Sequence, residues 1–181
     1  MSDDDAVFDP AHFAPGGPVD TVRSFLAAAI EQRSYQRCWE LMDENLRLCR
    51  AQAWLWNNRS HPLVGSDLDG LAAGFVSGRG GDLWEPFAEI ELDQMAQQWA
   101  EGYARNLGAA SHPRPIGVDL ELVVMMPTDG EVLMFNEATL VRDPIVFVVR
   151  AVEGSCAVAA YGDFVPVPGW PPRFEPPVDP G

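Results

Sequence analysis

The hydrophobic period changes once along this chain, at SHPRP, residues 111–115. Before that point apolar residues recur at three- and four-residue spacing, as on helices with one buried face. After it they alternate or run in short stretches split by turn residues, as in strands. Helices first and strands second predict an α+β fold, with N-terminal helices packed on a curved antiparallel sheet.

In the helical half, Pro18 and Asp20 precede VRSFLAAAIEQ, where Val22, Phe25, Leu26, Ala29 and Ile30 share one face. After a break at Arg33–Ser34, YQRCWELMDENLRLCRAQAWLWNN reads as helix, bent near Asp43–Asn45. His61–Pro62 ends it, because the residue before a proline avoids the helical region. PLVGS at 62–66 is a weak strand candidate. Ser66 caps DLDGLAAGFVSG, which RGGD ends. WEPFAEIELDQMAQQWAEGYARNL is the longest helix, with Phe87, Ile90, Met95, Trp99 and Tyr103 as core contacts. Trp54 and Trp56 sit two apart, which points them to nearly opposite sides of a helix. A helix held between the sheet and a second helix would bury both, one ring on each side.

In the second half, VDLELVVMM, EVLMFNEATLVR, IVFVVRAV and SCAVAAYGDFVPV are strand-forming runs separated by PTDG, DP and EG. Consecutive runs joined by short turns predict an antiparallel meander. Residues 1–17, with four Asp, two Pro and two Gly, read as a disordered acidic arm. Residues 18–170 read as a single domain. Pro171–Gly181, with five prolines in eleven residues, reads as an extended tail without regular structure.

The formal net charge is −15, from 27 acidic and 12 basic residues. Such a field repels phosphate backbones and anionic lipid, so neither nucleic acid nor an acidic membrane is an expected partner. No apolar run approaches the ~18 residues of a membrane span. MSDDDAVFDP lacks the basic and apolar regions of a signal peptide, so a cytoplasmic protein is expected. Every basic residue is Arg, in keeping with the codon bias of a GC-rich bacterial genome. Cys38 and Cys49 are about 16 Å apart along a continuous helix, too far for a disulfide. With Cys156 they read as small buried hydrophobes.

An opening helix, a Tyr-x-x-x-Trp helix (Tyr35, Trp39), and a sheet that ends near Pro168-Gly169-Trp170 resemble the nuclear transport factor 2-like, or SnoaL-like, superfamily across residues 18–170. The resemblance implies a cone in which helices plug the concave side of a strongly bent sheet. Relatives of this shape include non-catalytic binding domains. They also include isomerases, cyclases, dehydratases and epoxide hydrolases that act on apolar small molecules through a pocket carboxylate.

The sequence carries no CxxC pair, HExxH, phosphate loop or Gly-x-Ser-x-Gly. His12 falls in the arm, and His61 and His112 precede prolines, so solvated histidines, no metal site and no cofactor are expected. Registering the strands across their turns gives two sheet faces. One carries Leu120, Leu122, Glu137, Val148, Arg150, Ala157, Ala159, Tyr161 and Asp163, with Glu137 opposite Arg150 on a neighbouring strand. An apolar face with a few convergent polar groups describes a ligand pocket. The binding candidates are therefore Glu137, Arg150, Tyr161 and Asp163, with Trp54 as an aromatic candidate from the helical layer.

Two functions are expected from these residues. The first is a non-catalytic cone domain that binds a small apolar ligand or a protein. The second is an enzyme on an apolar small molecule. A pocket filled by its own side chains would count against both ligand readings at that place. IVFVVRAV is apolar on both alternating faces, and helices cover only one. A homodimer through the outer sheet face is the expected assembly. The alternative is that the tail, with Trp170 and Phe174, lies over that face.

Overall fold

The structure is a computed structural model that describes residues 10–104, 106–110, 114–127, 132–135, 138–141, 144–152, 154–162 and 164–176. The helical half holds α1 (Pro10–Phe13), α2 (Pro18–Ile30), α3 (Tyr35–Leu41), α4 (Glu44–Asn57) and α5 (Leu68–Val76), then a 3-10 turn at Gly81–Leu83 that runs into α6 (Trp84–Tyr103). The strands are β1 (Leu107–Ala109), β2 (Arg114–Gly117), β3 (Leu120–Pro127), β4 (Val132–Phe135), β5 (Ala138–Val141), β6 (Ile145–Val152), β7 (Ser155–Tyr161), β8 (Val165–Val167) and β9 (Arg173–Glu175). The fold is α+β, with antiparallel sheets that are neither closed nor strongly curled. Among the described residues no helix is long and apolar enough to cross a membrane.

The expected bend near Asp43 is a full break. Met42 leaves the helix in an extended conformation and forms an isolated parallel bridge with Val158. Asp43 donates its backbone N–H to the Val158 carbonyl over 2.8 Å, and its side chain then caps α4 by accepting from Leu46 N over 2.7 Å. One residue thus ties the helical layer to the sheet edge through its backbone and restarts the helix through its side chain. The cap of α5 is Asp67, which accepts from Gly70 N over 2.9 Å, rather than Ser66. PLVGS is turn, not strand, although Val64 is buried.

The arm does not stay away from the domain along its described part. His12 of α1 is buried and pairs with Glu121 of β3, where a solvated histidine was expected. The apolar α1 ring Phe13 packs on the main core beside it.

The meander is corrected in its order. The main sheet runs β1-β3-β6-β7, with β2 also on β3, so β3 pairs directly with β6. EVLMFNEATLVR is not one strand but β4 and β5, which pair with each other in a separate hairpin. SCAVAAYGDFVPV also divides, into β7 and β8, and β8 pairs with β9 inside the segment expected to lack regular structure. β1 occupies the end of the run expected as helix, and β2 begins inside the expected breaker.

Faces follow from the register. Leu120, Leu122 and Val148 share the outer face with Arg150, whose backbone partners are Leu120 and Ala157. Val123, Met125, Phe147, Val149 and Val158 face the helices and join Phe25, Trp39, Phe87, Met95 and Trp99 in the main core. The face expected to line a pocket is therefore the one turned away from the helices. The helices take the face whose central residues are larger and continuous. On the outer side Val148, Ala159 and Ala160 are buried within the single chain, in a second small cluster with half-buried Ile116, Leu120 and Leu122. Trp170 does not lie over that face: its indole N–H donates to Asp69 of α5 over 2.7 Å, and Phe174 is exposed.

The two tryptophans of AWLWNN also depart from expectation, since their ring contacts are with helices and with a neighbouring arginine. Trp54 packs edge-on against Phe75 of α5 and Phe87 of α6, with ring centres 6.0 and 5.8 Å away. Trp56 is covered by the guanidinium of Arg59, 4.6 Å from its ring centre.

Candidate functional site

Four titratable groups that shift one another converge between the helices and the sheet: Tyr35 of α3, Arg50 of α4, Glu91 of α6 and Tyr161 of β7. Their positions follow from helical spacing. Arg50 and Trp54 lie one turn apart on the face of α4 turned to α6, and Tyr35 and Trp39 lie one turn apart on α3. Arg50 Nε donates to Glu91 Oε2 over 2.6 Å, and its Nη2 reaches the same oxygen. The guanidinium carbon lies 5.3 Å from the centre of the Tyr161 ring.

Burial pushes the Glu91 carboxyl above its ordinary range, and the Arg50 guanidinium opposes the shift. Burial also raises Tyr35 and Tyr161 well above an ordinary phenol, and the Glu91 charge adds to both. Both phenols therefore stay protonated near neutrality. Shifted groups that face one another are the usual pointer to a functional site. Here they are surrounded by packed rings. Tyr35 touches Trp39, Trp84 and Phe87, with centroids 5.4–5.9 Å apart, and Tyr161 touches Phe25 and Trp99 at 6.2 and 5.3 Å.

Of the residues expected to bind, Tyr161 joins this cluster, and Trp54 lies one turn along α4 from its arginine. Arg150 is elsewhere: its Nε donates to Asp43 Oδ2 over 3.0 Å, across β7 from its own strand. Glu137 and Asp163 lie outside the described residues. Tyr161 does not share the face of Arg150, because a bulge between Val148 and Val149 leaves Ala159 as the extra residue on β7. Val148 then pairs with Ala160 and Phe147 with Tyr161, so the tyrosine turns inward.

Among the described residues, two open spaces lie at the edges of the fold. A groove of about 470 Å³ runs between α2, the end of α6 and the sheet edge at β1. Arg23, Ser24, Ala27 and Glu31 form one wall, at three- and four-residue spacing along a single face of α2. Ala27, from the run of three alanines, supplies no bulk in the middle of that wall. Buried Leu26 and Met125 form the floor with half-buried Leu107, and Tyr103 and Asn106 form the far rim. The Tyr103 hydroxyl donates to Glu31 Oε1 over 2.5 Å, and this bond, helped by burial and the Glu31 charge, pushes the phenol up to about 12. A smaller cavity of about 190 Å³ lies near Pro18, Glu121 and Cys156. Neither space borders Tyr35, Arg50, Glu91 or Tyr161.

The groove residues carry little sequence signal. Arg23 and Glu31 read as ordinary exposed helix positions, and only the missing bulk of the alanine run hints at a recess. The Arg50–Glu91 pair was missed in the sequence; the signal that could have found it is an arginine and a glutamate each set among apolar residues at helical spacing. Comparison with known proteins gives no name for either place: no protein-family model, curated protein or solved structure matches the chain.

Proposed function

We propose that this chain is a non-catalytic small-molecule-binding domain, that it works in the cytoplasm, and that its ligand sits in the groove between α2, α6 and β1. We also propose kinship with the nuclear transport factor 2-like superfamily, supported by element order and by the Tyr35–Trp39 helix, although the ligand place differs from the interior of a cone. One observation carries the reading. The groove combines an apolar floor, a polar rim and a volume within the roughly 300–1,000 Å³ range of ligand sites. The interior cluster is packed by its own side chains, which counts against a ligand there.

Turnover has less support than binding. An enzyme of the expected kind needs a pocket carboxylate free to move a proton. The groove's carboxylate, Glu31, is exposed and holds the Tyr103 phenol, and a phenol pushed up to about 12 is a poor proton source near neutrality. The pair orders the rim.

Native mass spectrometry of protein purified from its own host tests this reading, with wild type beside Ala27→Trp, which fills the groove. A bound mass on the wild type that the variant lacks is expected. No bound mass on either, or the same mass on both, contradicts it. The expected homodimer is a separate proposal. Val148, Ala159 and Ala160 are already buried within the single chain, so such a contact would rest on half-buried residues of that face such as Leu120, Leu122, Val124 and Val146. Light scattering at twice the chain mass supports it, and a monomer removes it.

A further inference from the structure

We infer that the groove takes a linear molecule with a carboxylate at one end and an amine at the other, joined by an apolar chain: an ω-amino acid. The inference rests on the groove being the ligand site, and it names the class of ligand. The charges at the two ends of the α2 wall are opposite. Among the described residues Arg23 has no hydrogen bond or ion pair; Arg33, Arg37, Arg50, Arg150 and Arg173 each hold a carboxylate, Arg59 and Arg79 bond other oxygens, and Arg47 and Arg114 hold no carboxylate and line no part of the groove. In a chain of net charge −15, an exposed guanidinium left over at the rim of a groove is available to an anion.

Glu31 stands eight positions further along the same face, about 12 Å along the helix axis. Its Oε1 accepts from Tyr103, and a carboxylate has capacity for further donors. Between the two charges the surface is apolar: Ala27 in the wall, and Leu26, Leu107 and Met125 beneath. A simple anion would meet Glu31 and the negative field of the whole chain. A simple cation would meet Arg23. A molecule with both ends charged is neutral overall and satisfies each end. An alkyl chain of about eight carbons spans most of the distance between the two rim charges.

Isothermal titration with 8-aminooctanoate, octanoate, octylamine and octanol tests this on wild type, Arg23→Gln and Glu31→Gln, each checked for an unchanged melting midpoint. Both rim charges are exposed, so each end is worth a modest factor. Wild type is expected to bind 8-aminooctanoate about fivefold more tightly than octanoate or octylamine. Arg23→Gln should bind it no better than octylamine, and Glu31→Gln no better than octanoate. Equal binding of all four probes, or variants that keep the preference, overturns the ω-amino acid while leaving a groove that binds apolar molecules. If no probe binds, the inference also falls. The broader reading then falls only if host-purified protein carries no mass.

Discussion

Arg50 and Glu91 stand 41 residues apart in sequence and meet inside the core, with a 2.6 Å hydrogen bond from Nε to Oε2. Only a small part of either side chain reaches solvent, 17% of Arg50 and 6% of Glu91. Removing one partner leaves a buried charge without compensation, whereas removing both leaves a hydrophobic contact. Arg50→Met should therefore lower stability by roughly 3–5 kcal/mol, and Arg50→Met with Glu91→Leu should recover most of the loss. Chemical denaturation of the two variants measures this. A double variant as unstable as the single one would mean that the cluster contributes something beyond charge compensation.

The same glutamate gives stability a pH dependence of known sign. Burial raises its folded pKa above the unfolded value of about 4.3. Between the two values the folded state holds more of the proton, so the contribution of Glu91 is full below about pH 4.3 and is lost as pH rises through the folded pKa. Glu91→Gln removes that term. The difference in melting midpoint between wild type and Glu91→Gln should shift against the wild type as pH is raised above about 4.3. A difference that is flat, or that moves the other way, would place the carboxyl's folded pKa at or below its unfolded one.

How far the sequence could be read depends on which signal each element carries. The helices were legible because three- and four-residue spacing marks one buried face, as with Phe25 and Trp99, which meet at 5.8 Å. Tyr35 and Trp39 gave α3 and its inward face in the same way. Strand order was not legible, because alternation assigns a face and says nothing about which strand lies beside which. β3 and β6 pair across the β4–β5 hairpin, a long-range choice that turn residues do not encode. Tyr161 shows the second limit. A single extra residue, Ala159, reverses the face of everything after it, and no residue type in SCAVAAYGD announces the bulge. The groove was illegible because it is made of space between elements, with exposed Arg23 and Glu31 at its rim.

Asp43 combines two duties that substitution can separate. Its Oδ1 caps α4 through Leu46 N, and its Oδ2 accepts from Arg150 Nε over 3.0 Å. Asparagine preserves the cap and removes the charge, while alanine removes both. Asp43→Asn should cost about 1 kcal/mol and Asp43→Ala roughly 2–3 kcal/mol, read as shifts in denaturation midpoint. Equal losses would show that one duty carries the whole effect.

The placement of the ligand in the groove, away from the packed interior, can be read from methionine methyl groups. Met125 lies on the groove floor, while Met42 and Met95 are buried in the main core and border neither cavity. Carbon-13 methyl labelling gives each a separate NMR signal, with Met125 assigned through Met125→Leu. The titrant is the molecule released from host-purified protein, added back to stripped protein. The predicted result is a saturable shift of the Met125 methyl, with Met42 and Met95 unmoved. Shifts at Met42 and Met95 with Met125 unchanged would put the ligand in the interior and contradict the groove as the binding site.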